Sequence, residues 1–293
     1  MNKKILLTSM LAFLVVAGCQ SDSSLDTATD ETEPSQEVVE QVVTDGTKEQ
    51  EQDNNESNTE ETSQDDDMEE QNNQSVEVDK IYYMDQNYII KPMNENVDSK
   101  VVLLTFDDGP KKEETVVEML NILEDHDAKA IFFVNGHRIE VNPELLTTIH
   151  EKGQIIGNHA WDHILLDELT NEEIDQQVDD VQDIVETLTG TAPQFFRAPH
   201  GKTNTYLREK LAASDILYMN WSNGSLDWSA NPDEQNAQFV IDNVMNQLHQ
   251  GSNILMHENT WTIEALDTLL TKLEEEGYSF VDPAAIDIHY EVE

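Results

Sequence analysis

The sequence predicts an α/β fold, a distorted (β/α) barrel of about seven parallel strands, preceded by a disordered acidic linker. Three observations carry that expectation. From residue 101 onward, short runs rich in β-branched and large apolar residues alternate with longer segments of helical apolar spacing. Repeated right-handed β-α-β units of this number can close into a barrel. Chemistry-bearing side chains recur just after the strand candidates, where a parallel barrel gathers its functional residues. Upstream, residues 20–80 have almost no aromatic or large aliphatic side chains and cannot bury enough apolar surface to fold.

The first element is an export signal. Lys3 and Lys4 form a basic start, residues 5–17 an apolar run, and Val16, Ala17 and Gly18 supply small residues before Cys19. The run is shorter than the roughly 20 residues needed to span a membrane, so it reads as a cleaved peptide. The Val-Ala-Gly-Cys sequence resembles a bacterial lipobox, which implies cleavage before Cys19 and lipidation of its thiol. Val16 fits that pattern less well than Leu. Cys19 is the only cysteine, so an internal disulfide is excluded. The domains expected are a lipoprotein signal peptide at 1–18, an acidic linker at 19–80 and a catalytic domain at 81–293.

A formal charge of −45, from 61 acidic against 16 basic residues, excludes nucleic acid as a partner. The acidity runs through both linker and barrel, and solubility is its plainest explanation.

Within the barrel, strands are expected at 101–106, 130–134, 154–157, 194–197, 216–221, 253–256 and 278–281. Helices are expected at 113–125, 142–152, 171–189, 233–250 and 263–276. Asp107 and Asp108 then follow the first strand, His159 and His163 the third, and Arg197 ends the fourth. Asp227 trails the fifth strand, and His257 caps the sixth.

His159 and His163 are four residues apart, a spacing that puts both rings on one face of a helical turn. Alone such a pair is an ordinary surface feature; Asp108 supplies a third ligand and leaves a coordination position open. Two imidazoles and a carboxylate suit Zn²⁺, with Co²⁺, Mn²⁺, Ni²⁺ or Fe²⁺ as alternatives. A divalent ion can polarise an amide carbonyl and lower the pKa of water, but a base must still accept the proton. Asp107 is adjacent and free for that task, although Asp before Gly-Pro is also a common turn former. Arg197 can orient Asp107, or serve simply as a rim charge. His257 has the titration range of an acid for a departing amine, and Asp227 can favour its protonated form; a structural strand cap is the alternative for His257.

Five segments, taken together and in order, resemble the polysaccharide deacetylase family, the NodB-homology domain or carbohydrate esterase family 4. They are Thr105-Phe-Asp-Asp-Gly-Pro110, Gly157-Asn-His-Ala-Trp-Asp-His163, Phe196-Arg-Ala-Pro-His-Gly201, Ser225-Leu-Asp-Trp228 and Ile254-Leu-Met-His257. The resemblance covers residues 100–282. It implies a metal-dependent hydrolase of amide C–N bonds that removes acetyl groups from N-acetylated sugars. Asp107 would be the base, Asp108, His159 and His163 the metal ligands, Arg197 the orienting residue, His257 the acid and Asp227 its tuner. Pro199, His200 and Gly201 would contact substrate, with a backbone N–H near His200 on the oxyanion. Trp228 and Leu255 would receive the acetyl methyl group or serve as core. Two positions depart from the pattern: His200 replaces a usual aromatic such as Tyr, and Gly224 stands where Asp is frequent.

With the export signal, the expected substrate is a cell-wall polysaccharide, peptidoglycan first, and the expected place the outer face of the bacterial cytoplasmic membrane through Cys19. A monomer is expected. Poly-N-acetylglucosamine, chitin oligomers and acetyl xylan are alternative substrates. A metal-free glycosidase using Asp107 with Asp227, and a wall-binding lipoprotein without turnover, are the alternatives of different class.

Overall fold

The computed structural model describes residues 78–290. The expected signal peptide, Cys19 and nearly all of the acidic linker lie outside the described residues.

A short antiparallel hairpin comes first, β1 (Tyr82–Met84) and β2 (Ile90–Pro92). The barrel follows with β3 (Val101–Gly109), α1 (Glu113–Asp125), β4 (Ala130–Val134), α2 (Gly136–Val141), α3 (Pro143–Glu151) and β5 (Ile155–Asn158). Next come α4 (Asn171–Thr189), β6 (Phe195–Phe196), α5 (Thr205–Ala213), β7 (Leu217–Tyr218) and β8 (Asn223–Gly224). The last are α6 (Ala237–Asn246), β9 (Ser252–His257), α7 (Thr260–Glu275) and β10 (Ser279–Phe280). The strand order is β7-β6-β5-β4-β3-β9-β8, every pair parallel, with β10 on the start of β3.

The expected distorted barrel is therefore present, and the seam shows why it is distorted. Residues 217–224 form one extended segment that pairs at its start with β6 and at its end with β9. The strand expected at 216–221 is this segment, displaced because its hydrogen bonds are shared between two neighbours. Asp227 thus trails β8 rather than the strand expected before it.

Strand alternation sorts the side chains by face. Val102, Leu104 and Phe106 pack outward with Phe132, Ile254, Met256 and the helices. Val101 and Leu103 point inward with Ile131 and Phe133. Continuing that parity places Thr105 and Asp107 inside the barrel, next to Leu255 and His257, their register partners on β9. The interior is apolar at the base and polar at the C-terminal ends of the strands.

Residues 81–99 pack on the base of the barrel. Tyr82 and Ile90 join the inner apolar cluster, and the Ile90 N–H donates to the Gly251 carbonyl at 2.9 Å. Gly251 has φ +76, and a Cβ there would sit 2.0 Å from the Ile90 carbonyl oxygen, so only glycine admits the hairpin.

Helix α4 starts where the sequence places it, because Thr170 and Glu173 form a capping box. α6 is shorter than the helix expected at 233–250: Asn236 accepts from the Phe239 N–H and starts it late. Two further helices, α2 and α5, were not expected. α2 begins at a glycine, a poor helix former, and α5 buries only Leu207 and Leu211.

Candidate active site

The consecutive residues Asp107 and Asp108 both face one cavity, which a regular strand forbids. A β-bulge resolves this. The register against β4 skips from Asp107 to Gly109, and Asp108 takes φ +69, turning its carboxylate toward the barrel mouth.

Asp107 is buried and accepts a 2.7 Å bond from Arg197 Nη1. The Arg197 guanidinium is fully buried, lies 4.3 Å from the centre of the Phe133 ring, and also donates to Thr105 Oγ1 at 2.8 Å and the Asn220 carbonyl at 3.0 Å. A buried cation is tolerated only when paired and hydrogen-bonded in this way. Asn220 lies in the seam between β7 and β8, so the closure of the barrel also fixes the arginine.

The Arg197 backbone positions the next group. Its carbonyl accepts from His159 Nδ1 at 2.7 Å, which fixes the ring and turns Nε2 toward Asp108. His159 Nε2 lies 3.4 Å and His163 Nε2 3.1 Å from Asp108 Oδ1. The ligand atoms of the three residues all lie within 4.8 Å of one another. Asp108 Oδ1 is buried and has no hydrogen-bond partner, the condition a cation relieves. Burial disfavours the Asp108 carboxylate, but the neighbouring imidazoles, His159 foremost, outweigh it and hold its pKa well below the usual range. Burial pushes the His163 pKa down despite Asp108, so its imidazole stays neutral and free to ligate. The three residues fit a divalent ion.

The histidines are not on a helix, contrary to the reading from their spacing. Residues 159–163 form an irregular turn with Ala160 at φ +63 and His163 at φ +50, and the reversal of the chain aims both rings at Asp108.

Beside Asp107, on the adjacent strand, His257 ends β9. Its Nδ1 and backbone N–H each lie 2.7 Å from an oxygen of Asp227, which is fully buried and also accepts from Thr262 Oγ1 at 2.6 Å. Burial alone would lower the His257 pKa, but Asp227 reverses the sign and raises it above the ordinary histidine value.

These groups surround a cavity of about 420 Å³ whose wall also includes His200, Gly201, Trp221, Trp228 and Leu255. Arg197 and Asp227 stand behind it. Pro199 is buried and is not among the lining residues. His200, at φ +59, sets its ring edge-on to His163 at 4.7 Å. Trp228 is about two-fifths exposed and meets Trp221 edge-on at 6.2 Å. Gly224 lies against both: a Cβ there would be 3.1 Å from Trp228 and 3.6 Å from Trp221.

Sequence reasoning missed Glu258. Its buried carboxylate accepts from the Lys111 N–H at 2.7 Å and the Lys112 N–H at 3.0 Å, and from the Thr115 hydroxyl, tying the loop after Asp108 to the residue after His257. The signal was indirect: α1 has Lys112 at its N-cap and needs an acceptor from elsewhere.

Fold and site together define an α/β barrel protein with a candidate metal centre beside a buried Asp–Arg pair. Residues 94–219 match the model described as polysaccharide deacetylase. The chain is 36% identical over 199 residues to the peptidoglycan-N-acetylmuramic acid deacetylase PdaC of Bacillus subtilis, covering 67% of this chain and 41% of that protein. It is 30% identical to PdaA of the same organism, named a peptidoglycan-N-acetylmuramic acid deacetylase, covering 63% of this chain and 70% of PdaA. The structure of a CE4 family pseudoenzyme from Bacillus anthracis superposes with TM-score 0.59 at 29% identity, covering 62% of this chain and 63% of that one. The chain belongs to the polysaccharide deacetylase family, carbohydrate esterase family 4. It spans about two fifths of the length of PdaC. Deacetylases of this family are metal-dependent, and Asp108, His159 and His163 form a site that can hold the ion.

Proposed function

We propose that this protein hydrolyses the acetamido group of N-acetylated sugars in a cell-wall polysaccharide, with peptidoglycan as the substrate. The observation that carries the proposal is the convergence, at one cavity, of the Asp108-His159-His163 cluster, the Asp107–Arg197 pair and the His257–Asp227 pair. A divalent ion, Zn²⁺ by the chemistry of two imidazoles and one carboxylate, supplies Lewis acidity and acidifies water when bound.

The protein's own groups do the rest. The Asp107 carboxylate, fixed by Arg197, takes a proton from the attacking water. His257, kept protonated by Asp227, gives a proton to the departing amine. A backbone N–H in the turn at His200 faces the developing oxyanion. Trp228 and Leu255 enclose the acetyl methyl group, and the exposed part of Trp228 offers an apolar face to a sugar ring.

Peptidoglycan is favoured by the names of PdaC and PdaA and by the export signal. Lipidation at Cys19 would hold the enzyme on the outer face of the membrane, beside that polymer. A glycosidase pairing Asp107 with Asp227 is disfavoured, because hydrogen bonds from His257 and Thr262 already occupy both Asp227 oxygens. The pseudoenzyme relative keeps a non-catalytic wall-binding role in view, and turnover decides it. The test is acetate release from peptidoglycan, chitin oligomers, poly-N-acetylglucosamine and acetyl xylan. Release from peptidoglycan supports the proposal; release from xylan alone, or from none, defeats it.

A further inference from the structure

We propose that Gln177, on α4, is a positioning residue that sets the geometry of the metal centre by holding the turn between its two histidines. The inference rests on the metal-dependent reading of the site.

The turn is costly by itself. Ala160 and His163, at φ +63 and +50, both occupy the left-handed region, which is unfavourable for a non-glycine residue. Such a turn persists only when its surroundings over-determine it. Asn158 Oδ1 accepts the Ala160 N–H at 2.8 Å. Asn135 Nδ2 donates to the His159 carbonyl at 2.7 Å, and the Gly136 and His137 N–H groups donate to the Ala160 and Trp161 carbonyls at 3.2 Å. Gln177 holds the other side. Its Oε1 accepts the Trp161 N–H at 3.1 Å and the Asp162 N–H at 2.9 Å, and its Nε2 donates to Asp162 Oδ2 at 2.8 Å.

Gln177 is out of place by helix patterning. It is 8% exposed within the buried stripe of Ile174, Val178, Val181 and Val185. Its amide is matched by three bonds that all end on the two residues before His163. His159 has a second anchor, the Arg197 carbonyl on its ring. Among the described residues no carbonyl holds the His163 ring in that way, so the direction of His163 follows from the backbone that Gln177 fixes.

The test is the dissociation constant of the full chain for Zn²⁺, measured by competition with a chromophoric chelator, with circular dichroism to establish folding. Gln177→Leu keeps the volume and removes all three bonds. It is expected to weaken Zn²⁺ binding by about tenfold to a hundredfold while the protein stays folded. Gln177→Glu sets a second carboxylate against Asp162 and is expected to weaken binding likewise. Combining it with Asp162→Asn restores a donor and an acceptor and is expected to recover most of the affinity. That rescue decides the matter if Gln177→Leu does not fold. Wild-type affinity in folded Gln177→Leu, or no recovery in the double variant, overturns the inference and leaves the metal site standing. A wild-type protein that binds no Zn²⁺ overturns both.

Discussion

Asp107 and His257 are register partners on the adjacent parallel strands β3 and β9, so both side chains leave the sheet on its inner face, about 5 Å apart along the hydrogen-bonding direction. Each is backed by a buried group of opposite charge, Arg197 behind Asp107 and Asp227 behind His257. A carboxylate suited to take a proton and an imidazolium suited to give one are thereby set side by side at one rim of the cavity.

This division of labour separates two variants. Asp107→Asn should reduce acetate release by roughly 10²–10⁴-fold and leave Zn²⁺ content near that of the wild type. His159→Ala should lose both. Measuring metal content by plasma mass spectrometry beside turnover checks the assignment, and equal metal loss in the two variants would contradict it.

In the proposed reaction the His257–Asp227 pair should set the alkaline side of the pH profile. A histidine whose pKa is raised in the folded protein stays protonated above its ordinary value of about 6.5 and loses its proton only at higher pH. Acetate release should therefore persist past that pH and then fall. Asp227→Asn removes the charge that raises the pKa, so the alkaline limb should move to lower pH. An unmoved limb in kcat against pH would remove His257 as the acid.

Removing one member of the Asp107–Arg197 pair should be costly to the fold. Arg197→Met leaves Asp107 buried without its cation and opens the Asn220 side of the seam. The expected loss is about 3–5 kcal/mol in urea unfolding, larger than for a surface ion pair such as Lys152–Glu124. A loss under about 1 kcal/mol would show that the buried pair does not hold the barrel.

Glu258 should matter to stability through the loop it caps. Glu258→Gln keeps one acceptor and removes the charge facing the Lys111 and Lys112 N–H groups. It should lower stability by about 1–3 kcal/mol in the same assay. No change would mean that water serves the start of α1 as well.

Most of the barrel was legible because its strands are buried on both faces and read as apolar runs, as in β3 and β4. The seam was not, because residues 217–224 divide their pairing between β6 and β9 and neither half is long enough to show a pattern. In the site, the chemistry-bearing types were readable and their supports were not. His159 and His163 were found by spacing, yet the irregular turn that aims them depends on Gln177 and Asn135, distant in sequence. Glu258 and Asn220 likewise act on partners that only the folded chain brings near. The bulge that turns Asp108 into the cavity is a departure from strand periodicity, and periodicity is what a sequence displays.

In the proposed reaction, one divalent ion on Asp108, His159 and His163 is required for acetate release. The decisive measurement is acetate release from peptidoglycan as chelator-stripped protein is titrated with Zn²⁺. No release is expected before addition, and a plateau is expected at one equivalent. Full release by the stripped protein would rule out a metal-dependent reaction.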